Sequence, residues 1–372
     1  MTEEFDTAVI GGGLVGGAIA YGLTRLGQRV VLLDEGDIAY RAARGNFGLV
    51  WVQGKGIGLP DYGAWTQLSA RRWPEFAAML RDDAQVDVSL EQPGGLHICL
   101  SERELEARVA AMNRLMSQPG FERYPFEVLD RAGVARFFPE IGTGVVGATH
   151  SSLDGHVNPL RLFRGLHEAF RARGGTYRPN SAVQRIVRDG TRFGIETAAQ
   201  RFSSARVVLA AGLGNARLAP QVGLEAPVRP QRGQLIALER VRRFMHYPMG
   251  TLRQTDEGTV LIGDSQEEAG FDTTTGAAIL ATLAERAQRI FPLLRDVRVT
   301  RTWAALRVMS PDGFPVYEQS RSAPGAFVAT CHSGVTLAAA HALALAPRIA
   351  AGELGPDFTA FSTERFHVSK AA

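Results

Sequence analysis

Residues whose types and spacing could do chemistry lie at both ends of this 372-residue chain. Near the start, Gly11-Gly12-Gly13-Leu14-Val15-Gly16 spaces its glycines as G-x-G-x-x-G, and Asp34-Glu35 follows about 20 residues later. In such a pattern Gly11 permits a tight turn, Gly13 lets backbone amides approach a pyrophosphate, and Gly16 lets a helix pack closely on a strand. The first-turn amides of that helix, around Leu14 and Val15, would turn partial positive charge toward phosphates. Asp34, with Glu35 beside it, would accept hydrogen bonds from ribose hydroxyls. NAD and FAD both fit this spacing. Near the other end, Arg307 stands between Leu306 and Val308 on an apolar stretch, where a guanidinium is costly without an anionic partner. That partner is either a substrate carboxylate gripped by two parallel hydrogen bonds or a protein Asp or Glu.

The elements around these residues follow from periodicity. Residues 7–10 read as a short buried strand, 14–26 as a helix ending at Gly27, and 29–33 as a second buried strand. That is a parallel crossover unit of about 30 residues. From 36 to 63 the chain is irregular and glycine-rich, a loop long enough to suggest function. Helices are expected at 64–80 and 101–117 with a strand near 95–100. Asn158-Pro159 opens a helix over 160–172, since asparagine caps and proline suits the first turn. Asp189-Gly190 and Glu257-Gly258 are hairpin turns. Residues 206–210 form a buried strand, 227–330 are mostly β with a helix near 275–290, and a last helix spans 335–349. The fold class is α/β (α+β): a Rossmann-like lobe from 1–90, 150–225 and 300–372, and a second, mostly antiparallel-sheet lobe from 91–149 and 226–299.

Composition narrows the class. Glycine is in excess, 41 of 372 residues against a typical ~7%, without a three-residue period, so collagen is excluded. Lys+Arg number 41 and Asp+Glu 38, a net charge of +3 with no clustered basic stripe, which argues against nucleic acid. Two cysteines, Cys99 and Cys331, make no disulfide framework and fit a reducing compartment. The apolar stretch at 8–23 follows acidic residues and is broken by glycines, so neither a membrane span nor a signal peptide is expected and the location is cytoplasmic. No Cys/His cluster has metal-ligand spacing and no Ser-His-Asp order carries a nucleophile elbow; no metal is expected.

The chain resembles the D-amino-acid-oxidase-like superfamily of FAD-dependent amine and amino-acid oxidoreductases, which includes glycine oxidase, sarcosine oxidase and D-amino-acid dehydrogenases. Four patches in chain order carry the resemblance. They are Thr7 to Tyr21 with Leu33-Asp-Glu-Gly36; Val207-Val-Leu-Ala-Ala-Gly212 with Val183; Arg229-Pro-Gln-Arg-Gly-Gln234; and Leu306 to Val316 followed by Ala329-Thr-Cys-His-Ser-Gly-Val-Thr336. The resemblance implies FAD, and assigns Val183 to the adenine and Ala211 and Gly212 to closing on the flavin. Gly334, Val335 and Thr336 would form a helix start facing the flavin N1–C2=O edge, where reduction deposits charge.

By the same resemblance Arg44, Gly45, Asn46 and Gly48 run beside the flavin, Trp51 and Gln53 line the substrate side, and Arg307 holds the substrate carboxylate. Trp51 reads equally as core packing. His332 reads as a substrate contact or as a satisfied buried histidine, and His156 in Asp154-Gly-His156 as structural. Members related to glycine oxidase place a tyrosine near residue 251; here Thr251 stands there, with Tyr247 displaced. Cys331 reads as a packing residue, so the FAD is non-covalent. The implied activity is oxidation of the C–N bond of an amino acid or N-substituted amino acid to an imine, by hydride transfer from Cα to flavin N5, then hydrolysis. The loop 45–51 and the turn 331–336 look most like the small flavoprotein subunits of opine oxidases and cyanide-forming glycine dehydrogenases. That implies partner subunits, and as an alternative a flavin-binding subunit with a structural or electron-relay role and no turnover of its own.

Overall fold

The computed structural model describes residues 3–36, 42–263 and 265–367. Strand β1 (Glu3–Ile10), helix α1 (Leu14–Arg25) and strand β2 (Val30–Leu33) form the expected crossover. β1 pairs in parallel with β2 on one side and with Arg201–Leu209 on the other. Thr176–Arg178 and Ala326–Thr330 extend the parallel ladder outward. A hairpin, Val183–Asp189 with Arg192–Thr197, and the edge strand Val316–Gln319 add antiparallel pairing. Strand residues alternate between two cores because successive side chains leave opposite faces. Val9, Leu32 and Val208 enter one; Ala8, Ile10, Val31, Leu33 and Val207 enter the other.

On the first face lie α1, Pro60–Ala84, Pro159–Ala172 and the last helical run. Asn158 caps as expected, its Oδ1 accepting from the amides of Leu160 and Arg161 at 3.1 Å each. The last helix departs from expectation. Residues 334–337 form a turn, and the helix proper begins at Ala338, with a π segment at His341–Leu345. The Ser69 hydroxyl explains the delay. It donates to the Thr336 carbonyl at 2.6 Å and accepts from the Ala340 amide at 3.1 Å, standing between two groups that a regular helix would join directly.

The second lobe has two antiparallel sheets. One runs Leu252–Gln254, Thr259–Ile262, Arg229–Arg240, Val299–Met309; the other runs Gly95–Cys99, Gly147–Ser151, Glu127–Asp130. Both bury apolar side chains in one core with Phe138, Ile290 and Phe291. Two edges differ from the expected boundaries. Val299–Met309, assigned to the cofactor lobe, pairs along its length with Arg229–Leu238, and Gly147–Ser151 crosses residue 150 to pair with Gly95–Cys99. Arg307 is thus carried by the second lobe's sheet, opposite Gln231. No helix among the described residues is long and apolar enough to cross a membrane.

Candidate active site

A cavity of about 610 Å³ opens over the carboxyl ends of β1 and β2 and is lined by Gly11, Gly13, Leu14, Val15, Asp34 and Glu35. The glycines divide their work. A Cβ on Gly16 would overlap the Gly11 carbonyl oxygen, so that glycine serves helix–strand packing. A Cβ on Gly13 would meet nothing nearer than the Ala43 Cβ at 4.0 Å, so protein packing does not demand glycine there and only a close ligand would. No side chain caps α1 at Gly13, which leaves its first-turn amides for a ligand. The buried Asp34 carboxylate accepts from the amides of Gly12 (2.6 Å) and Gly36 (3.0 Å), which hold it at the cavity wall.

The far wall carries Val183, Ala211, Gly212, Cys331 and Gly334. The Val183 carbonyl accepts from Arg217 Nη2 at 2.8 Å and the Ala211 amide donates to Asn215 Oδ1 at 2.9 Å, so both are held in place by protein contacts. Thr330, also in this wall, buries a hydroxyl without a hydrogen-bond partner among the described residues. An unsatisfied hydroxyl and uncapped amides lining one cavity fit a long ligand with phosphate and polar ring edges. Burial pushes the Cys331 thiol up to about 12, which keeps it protonated and a poor nucleophile.

A second cavity, about 460 Å³, adjoins the first; Ala42, Asn46 and His332 line both. Its wall includes Gly45, Trp51, Gln53, Arg307, Val335 and Thr336. Arg307 Nη1 donates to the carbonyls of Ser265 (2.7 Å) and Arg232 (3.3 Å), which aims the guanidinium. Thr336 ties the turn at 334–337 to the glycine-rich loop, its Oγ1 accepting from the Trp51 amide at 3.2 Å and donating to the Leu49 carbonyl at 3.1 Å. Burial, then the Lys55 and Arg307 charges, push His332 down to about 3, so it is neutral.

Three of the expected site residues line neither cavity. Tyr247 lines neither cavity; its ring packs against Phe137 at 4.9 Å and Phe138 at 6.2 Å in the second lobe's aromatic cluster. Arg44 is exposed, its guanidinium 5.9 Å over the Phe163 ring, and lines neither cavity. Gly48 supports the loop from behind, where a Cβ would crowd the Pro159 ring at 2.9 Å. His156 is structural: it is buried, 3.8 Å from Glu91 and 3.4 Å from Arg253, and Arg253 in turn donates to the Phe47 carbonyl.

Sequence reasoning missed Lys55, Arg108 and His97, all of which line the second cavity. Lys55 Nζ donates to His332 Nε2 at 3.2 Å and Ser333 Oγ at 3.1 Å. Arg108 donates to Gln53 Oε1 at 3.1 Å and Thr149 Oγ1 at 3.0 Å. Asp154, fully buried, accepts from the Val52 amide (2.5 Å) and Gln53 Nε2 (2.7 Å) and so orients Gln53; burial pushes its carboxyl up to about 7. One signal was available: lysine occurs at two positions in the chain, and one of them is the centre of Gly54-Lys55-Gly56.

Residues 6–348 match the family model described as DAO, FAD dependent oxidoreductase. The chain belongs to this family. As an FAD-dependent oxidoreductase it uses FAD, and the first cavity fits that cofactor. An opine oxidase subunit from Agrobacterium tumefaciens (strain Ach5) is 46% identical over 368 residues, covering 99% of both chains. Hydrogen cyanide synthase subunit HcnC of Pseudomonas aeruginosa is 26% identical over 418 residues, covering 100% of this chain and 99% of the relative. Among solved structures, glycine oxidase from Geobacillus kaustophilus superposes with a TM-score of 0.88 at 22% identity, over 97% of this chain and 98% of that one. That likeness concerns the fold.

Proposed function

We propose that this oxidoreductase oxidises the C–N bond of an amino acid or N-substituted amino acid, opine-like in chemistry, to an imine that water hydrolyses. The observation that carries the reading is the junction of the two cavities at His332, with Arg307, Lys55 and Arg108 and no carboxylate lining the second one among the described residues. FAD, when bound, supplies the acceptor for the substrate's Cα hydride at N5.

The chain's own residues bind, orient and adjust protonation. Arg307 holds the substrate carboxylate, which fixes Cα. The three cations favour the neutral form of the substrate amine, whose lone pair must be available for imine formation. His332, neutral and accepting from Lys55, keeps the wall between the cavities polar without adding charge. The cofactor is held without a covalent bond to Cys331, whose thiol is protonated.

The 46% identity to a protein named as one subunit of an oxidase supports partner subunits for this chain also. Anaerobic mixing of the purified flavoprotein with amino acids and opines tests the reading. Bleaching supports turnover by this chain, and its absence with every amine favours the structural or electron-relay role.

A further inference from the structure

We propose that Lys55 and Arg108 form a second carboxylate subsite, so that the preferred substrate is a secondary amine bearing a carboxylate on each arm. This rests on the reading above, in which Arg307 takes the first carboxylate. The two cations reach the cavity from different elements, Lys55 from the glycine-rich loop and Arg108 from helix Glu102–Ser117. Both line the same cavity, and the loop packs against Arg108 next to Lys55 in sequence: a Cβ built on Gly54 would lie 3.1 Å from Arg108 Nη1.

Neither cation has a carboxylate within ion-pair distance among the described residues. The hydrogen-bond partners of Lys55 are the neutral His332 ring and the Ser333 hydroxyl, and those of Arg108 are the Gln53 amide oxygen and the Thr149 hydroxyl. Glu104, on the same helix as Arg108, is engaged by Arg286 at 2.8 Å. Asp154 is linked to Arg108 by hydrogen bonds through Gln53. A charge placed toward a protein interior without a counter-ion is costly, and burial already pulls the Arg108 guanidinium below its ordinary range.

The geometry leaves donors to spare. An ammonium has three N–H groups, of which Lys55 commits two, and Arg108 Nη1 donates to no described residue. The acceptors that aim these cations are themselves fixed, since Asp154 orients Gln53, and Tyr62 shares a 2.8 Å hydrogen bond with Ser333. A substrate with one carboxylate, held by Arg307, would leave Lys55 and Arg108 without an anion. A dicarboxylate satisfies both places.

The test uses two thioethers that carry no C–N bond to oxidise, thiodiacetate and (methylthio)acetate, which differ by one carboxylate. Their affinities for the FAD-loaded chain are measured by calorimetry. The parent protein is expected to bind thiodiacetate at least about tenfold more tightly, a difference of about 1.4 kcal/mol. That gap should close in Lys55→Met combined with Arg108→Met and persist in Arg108→Lys. Equal affinities in the parent protein overturn the subsite, whether or not the variants fold. So does a gap that survives in the Lys55→Gln and Arg108→Met single variants. A gap without flavin bleaching by any amine supports the subsite and removes the oxidation reading. Bleaching without a gap does the reverse.

Discussion

The ammonium of Lys55 lies 3.2 Å from Nε2 of His332 and donates to it. Because an ammonium has no acceptor, the histidine must present a lone pair at Nε2 and carry its proton on Nδ1. Both cavities therefore meet at an imidazole held neutral by burial and by a neighbouring positive charge. A histidine in this state adds no positive charge where the substrate amine must lose its own.

The same physics sets the acid limb of stability. Burial pushes His97 to about 4, and His332 and His341 to about 3, from an ordinary 6.5. The unfolded chain binds these protons and the folded chain does not, so their contribution is present above pH 6.5 and is lost as pH falls toward 4 and 3. Asp154, raised to about 7, acts oppositely: its contribution is present below its ordinary 3.8 and lost as pH rises through 7. The melting temperature of the FAD-loaded chain is expected to fall below pH 6.5, less steeply in His341→Gln and more steeply in Asp154→Asn. A flat acid limb in the parent protein would contradict this.

Gly13 and Gly16 are expected to fail differently. Gly16→Ala overlaps the Gly11 carbonyl and should lower the yield of folded protein. Gly13→Ala has room and an extended backbone with φ −70° that alanine adopts without strain, so the fold should survive while FAD affinity drops about tenfold or more. Fluorimetric FAD titration beside a thermal melt separates the two.

Arg307→Ala is expected to lower kcat/KM for carboxylate substrates by about a hundredfold, mostly through KM, with FAD content unchanged. Losing a charge-assisted bidentate pair is worth roughly 2–3 kcal/mol. Arg307→Lys should recover only part, since an ammonium keeps the charge and loses the fork. Steady-state kinetics with the FAD-loaded variants decides.

Flavin release tests the attachment. With the Cys331 thiol protonated, heat denaturation is expected to leave all the flavin in the supernatant. Yellow colour retained in the pellet, and lost in Cys331→Ala, would show a covalent link.

Much of the fold was legible because its signals are local. The glycine spacing at 11–16, the Asn158 cap and the turns at Gly190 and Gly258 each fix a few dihedrals, and the structure keeps all of them. Contacts between distant segments were not legible. The Ser69 hydroxyl delays a helix some 270 residues away in sequence. Arg307 belongs to the second lobe because its strand pairs with Arg229–Arg240, which strand composition does not reveal. Lys55 and Arg108 reach one cavity only after a loop and a helix from separate parts of the chain are packed together. Tyr247 had the right chemistry for a clamp, but its ring is committed to an aromatic core.

The central claim is that this chain itself oxidises carboxylate-bearing amines with its FAD. Anaerobic mixing of the purified flavoprotein with N-(1-carboxyethyl)alanine, followed at the flavin absorption band, tests it most directly. Full bleaching, slowed in Arg307→Ala, is the predicted result. A flavin that stays oxidised with this compound and with every amino acid and opine tried would contradict the account.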